Sequence, residues 1–209
     1  MNDFNYKLDK CLFPLIKKIN NPIILELGVQ KGRSTIKFLD LCKKNEGKLF
    51  SVDVNDCSSV SNDKNWKFIQ SRDDNFKFIK SFIPKKINVL FIDTIHEAAH
   101  VENLIYAYYD FLEVGGFIFI DDISHLPYLK NSKRNNFYCE INNKETFNRI
   151  LEIYDNNNEA FDLSFSFNSS GLAIIEKKIN SNLNQKNILK TRDRSIKNYL
   201  RKLKNIINV

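Results

Sequence analysis

No stretch of this 209-residue chain is apolar for the roughly 20 residues that a membrane-crossing helix requires. Residues 1–21 are mixed and charged and hold no apolar leader core, so no secretory signal is expected. A cytoplasmic location is the expectation. Cysteine is sparse: Cys11, Cys42, Cys57 and Cys139 are widely spaced and form neither a C-x-x-C pair nor a zinc-ligand spacing. Reduced, partly buried thiols follow from that pattern. The chain also lacks G-x-x-x-x-G-K-[ST], which argues against a phosphate-binding P-loop. It lacks G-x-G-x-x-G too, and with it the tight glycine pair that seats a pyrophosphate. No internal repeat is found.

A basic body is missing as well, although the net charge is +7. Residues 179–209 hold eight of the 32 basic residues and one of the 25 acidic ones, so residues 1–178 carry 24 of each. The basic character belongs to the tail, and nucleic acid is not expected as a partner. The division expected is one domain over 1–178, with an N-terminal helix within 1–21, and a basic amphipathic helical tail over 179–209. In the tail, Ile196, Leu200, Leu203 and Ile207 form one apolar stripe. Packing on the domain or on a partner is its expected use, with a membrane surface as the alternative. Oligomerisation stays open.

What the chain does contain is organised around Ile23–Ser34: a short apolar strand, Glu26, Gly28 and Gly32, then the start of a helix. Glycines lacking a Cβ let the backbone take φ > 0 and approach a ligand closely. A helix opening near Ser34 aims free N–H groups into that turn. A nucleotide-like ligand is the first implication.

The remaining chain alternates strands and helices. Spacings of three and four from Phe4 to Ile19 predict a helix bent near Pro14. Strands are expected at 23–27, 48–52, 66–69, 87–92 and 117–120, with helices at 34–44, 73–82, 97–112 and 144–157. Gly115-Gly116 is expected to cap the helix before the fifth strand. Residues 161–167 and 172–176, around Asn168–Gly171, read as a β-hairpin. The fold class is α/β: a Rossmann-like, mostly parallel seven-stranded sheet with helices on both faces and an antiparallel C-terminal hairpin strand.

Glu26, Asp53, Asp93 and the pair Asp121-Asp122 fall at the ends of four strands, where open parallel sheets bind ligands. Asp53, 27 residues after Glu26, stands where an acid accepts both hydroxyls of a ribose. That logic fits NAD and other adenosine cofactors alike.

Leu25-Glu26-Leu27-Gly28-x-x-x-Gly32-x-Ser34 resembles the first motif of class I S-adenosylmethionine-dependent methyltransferases, in the catechol O-methyltransferase-like form. Asp93-x-x-His96, the Gly115-Gly116 turn and Asp121-Asp122 follow in the family's order, over residues 20–178. The set is also similar to macrocin O-methyltransferases, which act on sugar hydroxyls, and to a cephalosporin-hydroxylase-like branch that would use the acids otherwise. The resemblance implies S-adenosylmethionine as cofactor, bound by Gly28 and Gly32, with Glu26 and Ser34 close by, Asp53 on the ribose, and Ser71 and Asp73 near the adenine. It implies a divalent cation, Mg²⁺ first, on Asp93, Asp121 and Asp122, with His96 as base. The acceptor implied is a hydroxyl of a sugar, glycan or small molecule, covered by residues 123–143 with Tyr128, Arg134, Phe137 and Tyr138. Arg72, Ala98 and Leu104 depart from the family's pattern.

One rival remains: His96-Glu97-Ala98-Ala99-His100 matches the zinc-peptidase motif H-E-x-x-H. That reading needs the run inside a helix and a third ligand downstream.

Overall fold

The computed structural model describes residues 3–125 and 137–185, with positions 196, 199, 200, 203 and 204 of the tail. Seven strands form one sheet in the order β3-β2-β1-β4-β5-β7-β6. They are β1 (Ile23–Leu27), β2 (Lys48–Asp53), β3 (Trp66–Gln70), β4 (Ile87–Ile92), β5 (Leu112–Asp121), β6 (Phe161–Ser166) and β7 (Leu172–Lys177). β1 to β5 pair in parallel; β7 runs antiparallel between β5 and β6. The α/β class and the closing hairpin are therefore as expected.

Strand periodicity sends alternate residues to opposite faces. Leu25, Leu27, Ile118 and Ile120 pack with Val101, Leu104 and Ile105 of α5 (Ala98–Tyr108) and Ile150 and Ile153 of α6 (Phe137–Asn157). Ile24, Phe91, Phe117 and Phe119 pack on the other face, against Phe38 and Leu39 of α3 (Arg33–Lys44) and against Leu8, Leu12 and Ile16. Those last three come from the N-terminal helix, built of α1 (Asp3–Lys7), a π-helical turn (Leu8–Leu12) and α2 (Phe13–Ile16). Pro14 has no N–H to donate and crowds the preceding turn, and the chain widens ahead of it. The helix is thus an integral part of the core.

Several expectations shift. The helix expected over 73–82 shortens to α4 (Phe76–Lys80), leaving Asp73 in the turn before it. Gly115-Gly116 lies inside β5, where Ile87 pairs with Leu112 but Val89 pairs with Phe117. The glycines absorb a bulge in the strand; the helix before them has already ended at Tyr108 and a 3₁₀ turn, Tyr109–Phe111. The fold also continues past residue 178: Leu183 packs on the core, and Asn184 exchanges hydrogen bonds with Asn157. In the tail, the described Ile196, Leu200 and Leu203 are exposed, so these three do not pack on the domain. Ile207 lies outside the described residues, as do Tyr128 and Arg134. No helix among the described residues is long and apolar enough to cross a membrane.

Candidate active site

The carboxyl ends of β1, β2, β4 and β5 open onto one cleft of about 560 Å³. Its lining runs from Asp53, Ser71, Arg72 and Asp73 at one end, past Gly28, Val29 and Ser34, to Asp93, His96, Asp121 and Asp122 at the other. Phe4 and Ser170 close that second end. Nine of the eleven expected site residues therefore meet in one cavity, and Glu26 and Gly32 do not line it.

Gly28 has φ 97°, and a Cβ there would lie 1.9 Å from the carbonyl oxygen of Asp93. Only glycine lets the β1 turn pass so close to the end of β4. Gly32 has φ 72° and precedes α3; its missing side chain leaves room for Val60, 2.2 Å from where a Cβ would be. It shapes the turn from behind.

Asp53 closes the turn on the other side. Its Oδ2 accepts the backbone N–H groups of Val29 (2.9 Å) and Gln30 (3.0 Å), and Oδ1 accepts that of Asn55 (2.9 Å). Partial burial pushes this carboxyl up, but the Gln30, Asn55 and Val29 hydrogen bonds outweigh it and hold it below the ordinary range. Asp53 also lines the cleft, where a ribose hydroxyl can approach it.

Glu26 is the main correction to the expected site. It lies inside β1, opposite Ser51 of β2, and shares the face of Ile24, toward α3. Its Oε2 accepts the hydroxyls of Thr35 (2.8 Å) and Ser51 (2.7 Å), and Ser34 bonds it as well. Trp66 Nε1 donates to Ser51 in turn, at 2.9 Å. Glu26 is fully buried, Oε1 has no partner, and burial pushes the carboxyl up to about 7. It braces strand, helix and neighbouring strand behind the cleft.

Ser71 and Asp73 follow β3 as expected. Asp73 pairs with His100 at 2.8 Å, and the Tyr108 hydroxyl donates to its carbonyl. Burial pushes the Asp73 carboxyl up, but the hydrogen bonds of His100 and Thr94 and the charge of His100 together outweigh it and leave it below its usual range; His100 is raised in return by its bond to Asp73. Arg72 makes a two-pronged pair with Asp74, at 2.9 and 2.6 Å. With His100 held here, the H-E-x-x-H reading fails: α5 starts only at Ala98, and His96 precedes the helix. The two histidines face different partners.

His96 Nε2 stands 3.3 Å from Asp122 Oδ2 and 3.7 Å from Asp93 Oδ1. Asp122 takes φ 58°, an uncommon left-handed conformation for a non-glycine residue, at the point where β5 ends. Asp121 is buried, and its Oδ1 accepts the Asp122 N–H at 2.8 Å and the ammonium of Lys7. Burial, then like charge, raises the Asp93 carboxyl; burial raises that of Asp121 against the pull of Lys7.

Lys7 was not anticipated from the sequence. It is fully buried, and its ammonium also donates to Ser170 Oγ at 2.7 Å. The signal was present: Lys7 lies three residues after Phe4 and four before Cys11, on the apolar stripe of the first helix. A charge on a buried stripe calls for a buried partner.

The acids fit the expected cation poorly. Mg²⁺ demands near-octahedral oxygen ligands at about 2.0–2.1 Å. Asp121 Oδ1 is already engaged twice. Among the described residues, one group, Asp73, Asp74 and His100, brings its ligand atoms within 4.8 Å of one another; Asp93, Asp121 and Asp122 do not converge to that degree. The Asp73 group is compatible with a metal, although Asp74 is held by Arg72. An adenosine-type cofactor fits better, given the glycine approach at Gly28 and the place of Asp53 in the cleft lining.

Comparison with known proteins agrees with this geometry. Residues 25–123 match the family described as "Methyltransferase domain". No curated protein matches the chain in sequence. Among solved structures, the MycE methyltransferase of the mycinamycin biosynthetic pathway, in complex with Mg and S-adenosylhomocysteine, superposes with a TM-score of 0.63 at 17% identity. The match covers 90% of this chain and 55% of MycE, so the chain spans about half the length of that enzyme. A Podospora anserina methyltransferase with bound S-adenosylhomocysteine gives 0.61 at 14% identity, covering 76% and 72% of the two chains. At such identities the structures establish the fold, and the family match runs from β1 to just past the Asp121-Asp122 pair. Residues 25–123 thus resemble that methyltransferase family, on a chain with the Rossmann-like methyltransferase fold.

Proposed function

We propose that the protein is an S-adenosylmethionine-dependent O-methyltransferase acting on a hydroxyl of a small molecule, with a sugar-bearing acceptor first among the candidates. One observation carries this reading: a single cleft joins the Gly28–Asp53 turn to His96, which stands between two carboxylates. When bound, S-adenosylmethionine supplies a sulfonium methyl whose carbon–sulfur bond breaks as the acceptor oxygen attacks. Asp53 holds the ribose, Ser71 and Asp73 border the adenine end, and Gly28 and Ser34 border the methionine end. His96 takes the acceptor's proton, and Asp93 and Asp122 stabilise the imidazolium that forms. Phe4 and Ser170 exclude water from that end of the cleft, which strengthens these electrostatic effects. The sugar preference draws on the resemblance to macrocin O-methyltransferases, and the small-molecule class on MycE, which was solved with mycinamycin VI. The cation implied by the resemblance has no ready seat on Asp93, Asp121 and Asp122.

Calorimetric titration with S-adenosylmethionine and S-adenosylhomocysteine, with NAD as control, tests the cofactor. Saturable binding of both, and none of NAD, is expected. A radiolabelled-methyl screen over glycosides and phenols then tests the acceptor class. Binding of NAD alone would sink the proposal.

A further inference from the structure

We infer that Lys7 fills the place of the divalent cation, so that the acids at the ends of β4 and β5 are neutralised by an ammonium delivered from the N-terminal helix. Three carboxylates gathered at a partly dry strand edge need a positive charge to stay ionised together. A metal ion or a lysine meets that need, and the two compete for the same oxygen. Lys7 holds that oxygen, Asp121 Oδ1, and its second contact is Ser170 Oγ at 2.7 Å. Gly171 O lies at 3.5 Å from the same nitrogen. Those directions use the ammonium's donors, so its role is to set charge and position, with the acceptor's proton left to His96.

The helix that brings Lys7 is firmly seated. Leu8 and Leu12, the next residues on its apolar stripe, are fully buried against Phe91, Phe119 and Leu172. Cys11 Sγ donates to Ser166 Oγ at 3.2 Å, and Lys37 reaches Asp9 at 2.6 Å. Phe4, one turn earlier, lies 5.5 Å from the Lys7 nitrogen and walls the cleft. An ion entering among the three acids would have to expel a side chain held at both ends.

The inference rests on the methyltransferase reading for the kind of site, and its measurement is independent of it. Mn²⁺ is titrated into the full chain and followed by electron paramagnetic resonance. The unchanged protein is expected to show no stoichiometric site. Lys7→Ala and Lys7→Met, each checked for folding by circular dichroism, should gain one, at least about tenfold tighter than the unchanged protein. The added change Asp121→Asn should abolish it. In the unchanged protein, Lys7 should also resist amine acylation read by mass spectrometry, and Asp121→Asn should expose it. A stoichiometric, Asp121-dependent Mn²⁺ site in the unchanged protein overturns the inference. So does a folded Lys7 variant that gains no site, or ready acylation of Lys7. Calorimetry with S-adenosylmethionine on the same samples reports separately on the cofactor: its failure would unseat the methyltransferase reading while leaving the exchange of lysine for metal to stand or fall on the manganese result.

Discussion

Glu26 and Asp53 show how two acids in one motif come to opposite uses. Asp53 faces the cleft with three backbone donors on it, whereas Glu26 is sealed behind the cleft with one oxygen unpartnered. The Glu26 carboxyl rises from 4.5 to about 7 in the folded protein, chiefly through burial. The folded state therefore holds a proton that the unfolded chain releases between those values, and stability falls as pH rises from about 4.5 to 7. That shift corresponds to about 3 kcal/mol. Glu26→Gln should flatten this part of the profile, read as the denaturant midpoint of both proteins from pH 5 to 8; parallel profiles would show that Glu26 is ionised throughout. Asp53→Ala should weaken S-adenosylmethionine by about 10–100-fold, because charge-assisted hydrogen bonds are lost, as read by calorimetry. His96→Ala should cut transfer by about 10²–10⁴-fold while cofactor affinity stays within about twofold, measured with the acceptor found by screening. Asp53, Asp93, His96 and the Asp121-Asp122 pair were legible because strand ends are marked by a change from apolar to acidic residues. Glu26 was misplaced because it lies one residue inside its strand, where the face it takes is decided by the pleat. Spacing along the chain does not separate an acid at a strand end from one just before it.

At the level of elements, among the described residues, apolar runs and 3.6-residue spacing revealed the seven strands and α3 to α6, with boundaries shifting by up to seven residues. The exception is informative. A Gly-Gly pair after a helical stretch reads as a cap, yet the glycines lie within β5, where a bulge re-aligns the strand with β4. Pairing with a neighbour, which the local sequence does not record, decided the outcome. The same holds for the first helix: its amphipathic spacing was plain, but its station beside β5 and β7 depends on the finished sheet. Leu12→Ala on that helix should cost about 2–5 kcal/mol, measured by chemical denaturation, since a fully buried leucine leaves a cavity among aromatic neighbours. The same variant should raise acylation of Lys7, because the helix that carries it loosens.

Over the whole molecule, the sheet, its order and the placing of the cleft at the carboxyl ends of the strands all follow from the alternation of strands and helices. What spacing along the chain cannot convey is contact between distant segments, and Lys7 with Asp121 is the clearest case, 114 residues apart. The tail stands apart from this economy: Asn184 is tied to Asn157, and beyond it Ile196, Tyr199 and Leu200 are exposed. Truncation after residue 185 should leave the thermal midpoint within about 4 °C, by differential scanning calorimetry, since a change under about 1 kcal/mol moves it by no more. The seat of Lys7 also has a consequence for synthesis. A ribosome adds about 5–20 residues per second, so the lysine waits on the order of 10–30 seconds before Ser170 and Gly171 exist. Through that interval the first helix can bind β1 and α3, and its cation meets Asp121 before it meets Ser170. The hydrogen-bond shell of that ammonium is therefore completed only when the β6–β7 hairpin closes over a residue made 163 positions earlier.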